Sequence, residues 1–550
     1  MAPLSNIVAS IALLATAAQG AAVGHERQHG RGLTHRQSQS GYAPISVPCP
    51  VLPLNRAAKG LSIAESVYVA GRKLKANAAL AAWLKKVDPA FDTSKLPVVG
   101  LTSSGGGYRA LLAGAGVVQG LDGRDSNLAT SGLFQGLTYY AGLSGGAWLL
   151  SSLSGNNWPT ISNLRDTLWL DAFEDDALVA DIILASSDYN TVAKDLKAKN
   201  ATGFNTTIPD AWGRFISHQI LSGPNGGVFE RLSGQASKSN FTFLNVPFPI
   251  MTALSVDTGA GQCTPVPTST QYEFSPYEFG SWDNGIRAFT STAFLGTSLT
   301  NSKPTNANKC TANLDNLGYM FGTSSDIFSL YCSPYPAENS SLIGVLSGLI
   351  PSTPTNLLSN IPNPFYQSPS SPATSSQPTL YLADGGLNDQ INPIWPFLQP
   401  ERPVTALIVS DNTADTDDSF PSGIQIRNTY LAAQSAGLTK MPPVPPPETF
   451  VAQGLNKRAV FFGCDDKDKL TIVWLPNAAY SFPSNASTYQ VQFSREETKG
   501  IIANGNLVAS QNGTEGWGRC LGCALVGKTG GTLPGGCKGC FDKYCYRGDV

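Results

Sequence analysis

The chain has 550 residues and a formal net charge of −2, with 14% of its residues charged and 42% hydrophobic. That balance excludes a nucleic-acid binder, which carries a cationic excess, and an intrinsically disordered chain, which pairs high net charge with few apolar residues. Only four histidines occur in the whole sequence, so any chemistry that needs imidazole has few candidates.

Ile7 to Ala18 is an apolar run shorter than the ~20 residues that span a bilayer. Small residues surround its end, so residues 1–20 read as a secretory signal peptide. Residues 21–40 are polar and aperiodic, hold His25, His29 and His35, and read as a leader or pro-segment. Residues 41–550 are expected to form one large domain. Ser62 to Glu65 has capping-box spacing. Val67, Leu74, Ala78, Leu80, Ala81 and Leu84 follow at helical intervals, predicting a long surface helix to Lys86. Leu96–Thr102 reads as a buried strand, Ser103–Gly107 as a tight loop, and Tyr108–Leu121 as a helix of small and apolar residues. Thr138–Leu143 repeats the pattern as a strand, followed by an apolar helix over Gly145–Leu153. Trp212–Leu221 is an amphipathic helix carrying His218. Pro351–Pro378, rich in Pro and Ser, is expected to be a surface insertion. Thr379–Ala383, Val404–Ser410 and Leu470–Leu475 read as further buried strands. Continuous apolar strands alternating with helices predict an α/β fold with a mostly parallel central sheet covered by helices on both faces.

Three motifs carry chemistry. Gly142-Leu143-Ser144-Gly145-Gly146 is a G-x-S-x-G between strand and helix, a turn that projects a serine and needs neighbours without bulk. Ser103 to Arg109 places three glycines after a strand, where backbone N–H groups can face a developing oxyanion. Ala383-Asp384-Gly385-Gly386 puts an acid at a strand end, where open α/β sheets place their ligands. A competing reading takes Gly105-x-Gly107-x-x-Ala110 as a dinucleotide fingerprint with Asp125 as its acidic partner, which would make the protein an oxidoreductase. A third takes the glycines as structural in a non-catalytic secreted glycoprotein. With the leader set aside only His218 remains, on a helix that reads as structural. A Ser-His-Asp triad is therefore disfavoured, and a Ser144–Asp384 pair, in which a partly desolvated carboxylate acts as base, is preferred.

The stretches Ser104–Ala110 (SGGGYRA), Gly142–Trp148 (GLSGGAW) and Ala383–Gln390 (ADGGLNDQ) together resemble the fungal secreted lysophospholipases, also called phospholipases B. These share a superfamily with the catalytic domain of cytosolic phospholipase A2 and, more distantly, with patatin. The resemblance runs from about Cys49 to the C-terminus. It implies Ser144 as nucleophile and Asp384 as its base, with Gly106, Gly107 and Gly145 forming the oxyanion hole. It also implies that Arg109 holds the lipid phosphate, a role suited to the guanidinium fork. Expected substrates are phospholipids and lysophospholipids at membrane or micelle surfaces, hydrolysed without cofactor, metal or calcium.

Export is expected on two further grounds. Six Asn-x-Ser/Thr sequons occur, at Asn200, Asn205, Asn240, Asn339, Asn485 and Asn512, and the ten cysteines are even in number. Cys520-x2-Cys523 and Cys537-x2-Cys540, within the Cys-rich segment 520–545, imitate a zinc ribbon. In an oxidising compartment the same residues form disulfides, whose pairing the spacing leaves open. No later run reaches transmembrane length, and the chain ends without the hydrophobic tail of a GPI signal.

Overall fold

The computed structural model describes residues 41–332 and 341–550. The signal and leader segments, with His25, His29 and His35, lie outside the described residues, as does Asn339. Residues 41–550 form one compact unit.

Its centre is a twelve-stranded sheet. In chain order the strands are β1 (Asn55–Ala57), β2 (Val99–Ser103), β3 (Tyr139–Gly142), β4 (Phe248–Val256), β5 (Gln271–Phe274), β6 (Glu278–Ser281), β7 (Ala288–Ser291), β8 (Ser359–Pro362), β9 (Thr379–Asp384), β10 (Ala406–Asp411), β11 (Val460–Phe462) and β12 (Thr471–Pro476). The order across the sheet is β11-β12-β10-β2-β3-β4-β5-β6-β7-β1, with β9 paired to β4 and β8 to β9. The five strands β12, β10, β2, β3 and β4 are mutually parallel. Every residue of β2, β3, β10 and β12 is buried, as continuous apolar strands covered on both faces require. Beyond β4 the sheet is antiparallel. Of this half the sequence reading had only β9, as Thr379–Ala383; Gln271–Ser291 has no continuous apolar run.

The helices that matter for the site are α1 (Ile63–Val87), α2 (Gly107–Leu121), α3 (Gly145–Gly155), α4 (Ser187–Ala201), α5 (Ile208–Ile220), α6 (Leu317–Ser324) and α7 (Arg495–Ser510). Helix α1 begins where expected, with the Ser62 side chain accepting from the Glu65 N–H. Its buried face is not the expected one. Val67 and Leu74 are exposed, while Glu65, Tyr68, Arg72, Ala76, Leu80 and Trp83 are buried. The cause is polar pairing. Arg72 donates to the carbonyls of Gln135, Leu137 and Leu244, and Glu65 accepts from Arg402 at 2.9 Å. Buried charges persist when paired, and a hydrophobicity pattern scores them as surface.

A second difference lies in Pro351–Pro378. Its middle is not a surface excursion: Ser359–Pro362 forms β8 on the edge of β9, and Leu358 and Phe365 are fully buried. Pro362 ends the strand, a position at a sheet edge that proline tolerates.

All ten cysteines pair: Cys49–Cys310, Cys263–Cys332, Cys464–Cys545, Cys520–Cys540 and Cys523–Cys537. The two C-x2-C motifs are joined to each other, on helices Trp517–Val526 and Cys537–Tyr544, in place of the alternative zinc ribbon. Among the described residues no helix is long and apolar enough to cross a membrane.

Candidate active site

Sheet register brings two distant motifs together. Gly142, the last residue of β3, lies opposite Met251 of β4. Asp384, the last residue of β9, lies opposite Ala253 of the same strand. Strand β5 occupies the other edge of β4. Strands β3 and β9 therefore share one edge of β4 and meet C-terminus to C-terminus, with Thr252 between them. Ser144 follows β3 by two residues, so it arrives level with Asp384.

Ser144 is the N-cap of α3 and holds φ 52°, ψ −122°. A non-glycine residue at positive φ is strained and persists only where its surroundings over-determine it. Here they do. An added Cβ on Gly145 would lie 2.0 Å from the Gly107 carbonyl oxygen, and one on Gly146 would lie 2.2 Å from that of Ser103. The elbow is thus pressed against the glycine loop after β2, at a spacing that only glycine permits.

The Ser144 hydroxyl lies near enough to the Asp384 carboxylate to act on its pKa as a hydrogen-bond donor. Both residues are buried, with 8% and 4% exposure. Burial pushes Asp384 up to about 6, against the lowering effects of the Gly386 N–H and the Ser144 hydroxyl. The Gly386 N–H donates to Asp384 Oδ1 at 2.7 Å, which fixes the carboxylate plane. The pair can share a proton near neutral pH, which a carboxylate of ordinary pKa near 3.9 does poorly.

The loop after β2 supplies donors. Gly106 and Gly107 hold φ of 130° and 60° and stand at the N-cap and first turn of α2. Gly145 is the first residue of α3. First-turn N–H groups have no intrahelical acceptor, and two helix N-termini with their positive dipole ends thus stand beside Ser144.

Arg109 is buried in the first turn of α2. Its Nε donates to the Asn412 carbonyl at 2.9 Å and its Nη1 to that of Ala486 at 2.7 Å. Burial lowers its pKa to about 10, while Asp415 and Asp411 act to raise it, so it stays cationic at neutral pH. Nη2 stands against Gly106, 2.5 Å from where a Cβ would be. Two of the three nitrogens are committed to carbonyls, which does not leave the guanidinium fork free for the bidentate grip that the resemblance implied.

His218 is engaged by partners of its own. On α5, its Nδ1 pairs with Asp188 of α4 at 3.0 Å, and its Nε2 lies 3.5 Å from Arg214 Nη2. Both ring nitrogens are occupied by structural partners. The dinucleotide reading fails on geometry. Asp125 lies beyond the far end of α2, about 22 Å from the glycine loop for fifteen helical residues, and its carboxylate accepts from the Ser162 N–H.

One part of the site had no sequence signal. Ser324, the last residue of α6, with Ser325 and Asp326 after it, clamps both halves of the pair. The Ser144 N–H donates to Ser324 Oγ at 3.1 Å, and that hydroxyl donates to the Thr252 carbonyl at 2.7 Å. The Asp384 N–H donates to the Asp326 carbonyl and the Gly385 N–H to that of Ser324. Ser325 Oγ accepts from the indoles of Trp148 and Trp212. Asp326 is buried beside Asp384, and burial, with the nearby carboxylate, drives its pKa well above the ordinary value. A Ser-Ser-Asp run is common in loops, so only the fold distinguishes it.

Comparison with known proteins places these features. Residues 99–550 match the family model described as the lysophospholipase catalytic domain. Lysophospholipase 2 of Aspergillus fumigatus is 34% identical, covering 93% of this chain and 94% of that protein. The lysophospholipase of Penicillium chrysogenum is 34% identical, over 93% and 90% of the two chains, and probable lysophospholipase 3 of Schizosaccharomyces pombe is 31% identical, over 94% and 84%. Among solved structures, human GIVD cytosolic phospholipase A2 superposes with a TM-score of 0.66 at 17% identity, covering 88% of this chain and 72% of its own. The same human enzyme in complex with methyl gamma-linolenyl fluorophosphonate gives 0.61 at 18% identity, over 88% and 66%.

Proposed function

We propose, on the premise that the chain belongs to the lysophospholipase catalytic-domain family, that its Ser144 and Asp384 form a two-residue catalytic centre. The protein is a lipid ester hydrolase of the lysophospholipase/phospholipase B type. The approach of the Ser144 hydroxyl to a buried, proton-avid Asp384, where β3 and β9 end on one edge of β4, is the observation that carries the dyad.

Asp384 takes the Ser144 proton as Oγ attacks the ester carbonyl. The Gly106 and Gly107 N–H groups, joined by Gly145, receive the oxyanion, a stabilisation of about 2.7–4 kcal/mol per donor in hydrolases. Asp384 returns its proton to the departing glycerol oxygen, leaving an acyl-serine that water hydrolyses by the same steps in reverse roles. Arg109 meets the lipid phosphate through Nη2. Calcium independence is part of the same proposal. The test is release of fatty acid from mono- and diacyl-phosphatidylcholine, present in the intact protein and absent in Ser144→Ala.

The pH dependence follows from the sign of the Asp384 shift. The base must be ionised to accept a proton, and its pKa is raised to about 6. Activity is therefore expected to be flat above that value and to fall as pH drops through it, approaching tenfold per unit on the acid side. A kcat/KM profile that stays level down to pH ~4, the range of an unshifted carboxylate, contradicts Asp384 as base.

Ser324 acts through the Ser144 backbone. Removing its hydroxyl leaves the Ser144 N–H and the Thr252 carbonyl without partners in a buried site. Ser324→Ala is expected to lower kcat about tenfold through misplacement of the nucleophile, with KM little changed. An unchanged kcat shows that the elbow holds its strained geometry unaided.

Secretion and glycosylation belong to the same proposal. Five disulfides support an oxidising compartment, and Asn200, Asn205 and Asn512 are exposed. Asn240 and Asn485 are half-buried, and their Nδ2 groups donate to the carbonyls of Asn157 and Asp418, so glycans are expected at the first three sites. The mass of protein recovered from culture medium should fall on endoglycosidase treatment; an unchanged mass removes glycosylation from the proposal.

A further inference from the structure

Asp384 sits on a strand that outruns one of its neighbours. On one edge β9 pairs with β4 as far as Asp384, which lies opposite Ala253. On the other edge β8 begins at Ser359, opposite Leu382. Ala383 and Asp384 therefore extend past β8. A strand end without a ladder partner is the first part of a sheet to fray, and here that end carries the carboxylate.

Asp326 closes the gap. Its carbonyl accepts the Asp384 N–H at 3.0 Å, the bond that a residue of β8 would make if that strand continued. Its side chain reaches the other way. Oδ2 accepts the N–H of Ser359, the first residue of β8, at 3.0 Å, and Oδ1 accepts that of Phe328 at 3.2 Å. One fully buried residue thus ties the start of β8 to the end of β9, by side chain to the first and by main chain to the second. Both carboxylate oxygens are in use. A carboxamide cannot match this, because it has one acceptor oxygen and would set its NH2 group against an N–H. Helix α6 braces β8 just beside this point: Thr323 Oγ1 lies 2.9 Å from Ser359 Oγ, and the Tyr319 hydroxyl donates to the Asn360 carbonyl at 2.6 Å. Asp326 extends that support from β8 to Asp384. What it sets is the level of the carboxylate relative to Ser144, where a displacement of about 1 Å can cost on the order of 10²-fold in rate.

We infer that Asp326 is a positioning residue for the ester hydrolysis: it stands in for the next residue of β8 and holds Asp384 level with Ser144. The inference rests on Asp384 serving as the base. Asp326→Ala removes both side-chain acceptors and keeps the backbone carbonyl. Fluorophosphonate labelling of the full-length protein, run to completion, counts competent sites, and kcat is expressed per labelled site, so that poor folding is divided out. On that scale Asp326→Ala should lower kcat and the labelling rate about tenfold or more, with KM within about twofold of wild type. Asp326→Asn keeps the shape and one acceptor; it should lose about threefold and serves if the alanine variant folds poorly. Each substitution is then made in Asp384→Asn. A residue that acts through Asp384 has nothing left to place there, so the residual labelling rate of Asp384→Asn should change by less than about twofold on adding either one. A loss of the same factor in both backgrounds overturns the inference, as does an unchanged kcat per labelled site in both single variants. Wild-type activity in Asp384→Asn alone overturns the base assignment instead, so the two failures are told apart.

Discussion

Ser144→Ala is expected to lower lysophospholipid hydrolysis by about 10⁴-fold or more, the scale seen when a serine hydrolase loses its nucleophile, and Asp384→Asn by a comparable factor. The near-equality is the informative part. In a triad the acid only orients a histidine, and its loss costs less than loss of the serine. Here both ring nitrogens of His218 are engaged with Asp188 and Arg214, and Asp384 itself contacts the serine hydroxyl. No intermediate base softens its removal. A fluorophosphonate probe separates the roles further: wild type should be labelled covalently, and neither variant should be at the wild-type rate. Labelling that persists in Ser144→Ala, or a His218→Ala variant as inactive as Ser144→Ala, ends the dyad assignment. The Asp384→Asn protein should also be at least as stable as wild type at neutral pH. A carboxyl whose pKa is raised on folding opposes folding when ionised, so the folded state loses stability as pH rises through the interval from about 4 to about 6 and asparagine is spared that loss.

The second large effect lies in stability. Arg402 is buried between Glu65 of α1 and Glu273 of β5. Its Nε lies 2.9 Å from Glu65, its Nη2 lies 2.8 Å from Glu273, and Nη1 also donates to the Pro396 carbonyl. Tyr139 of β3 donates to the same Glu65 carboxylate. One guanidinium thus joins the first helix, the parallel centre and the antiparallel half of the sheet. Burial raises the pKa of Glu273 and the arginine opposes that rise. Arg402→Met removes the cation that pairs with both Glu65 and Glu273 and leaves the two buried carboxylates without it. The expected cost is about 3–5 kcal/mol, read as a fall of several degrees in Tm by calorimetry at pH 7. The double variant Arg402→Met with Glu273→Gln should recover part of that loss, because the uncompensated charge is halved. A single variant within 1 °C of wild type would show that water enters the cluster and that the pairing contributes little. Activity per folded molecule should be little altered, which separates this variant from those at Ser144.

Much of this was legible along the chain. The strand-glycine-helix units at Val99–Leu121 and Tyr139–Gly155 were visible because continuous apolar strands and small-residue turns have local causes. Gly145 and Gly146 stand where the fold tolerates no Cβ, and Ser144 was marked by its place between them. The scarcity of histidine disfavoured a triad before any geometry was known. Other features were hidden by the same locality. The Ser324–Asp326 clamp is an ordinary polar run whose meaning comes from hydrogen bonds to residues 180 and 72 positions away. Glu65 and Arg72 looked like surface residues on α1 because their partners lie on other elements. The strand inside Pro351–Pro378 was masked by the prolines around it.

The sequence by itself determined the chemistry on offer: a serine on a glycine-flanked turn, a carboxylate at a strand end, a glycine loop with an arginine behind it, and a single histidine in the expected domain. Only the tertiary structure decided that the serine and the carboxylate meet. That meeting depends on β3 running parallel to β4 while β9 runs antiparallel along the same edge, so that two strand ends 242 residues apart converge on one point opposite Thr252. Local sequence sets which backbone turns are possible, but strand direction and register are set by long-range hydrogen bonding and burial. The acidity of Asp384 has the same origin, because a carboxylate's environment exists only once the elements around it have packed.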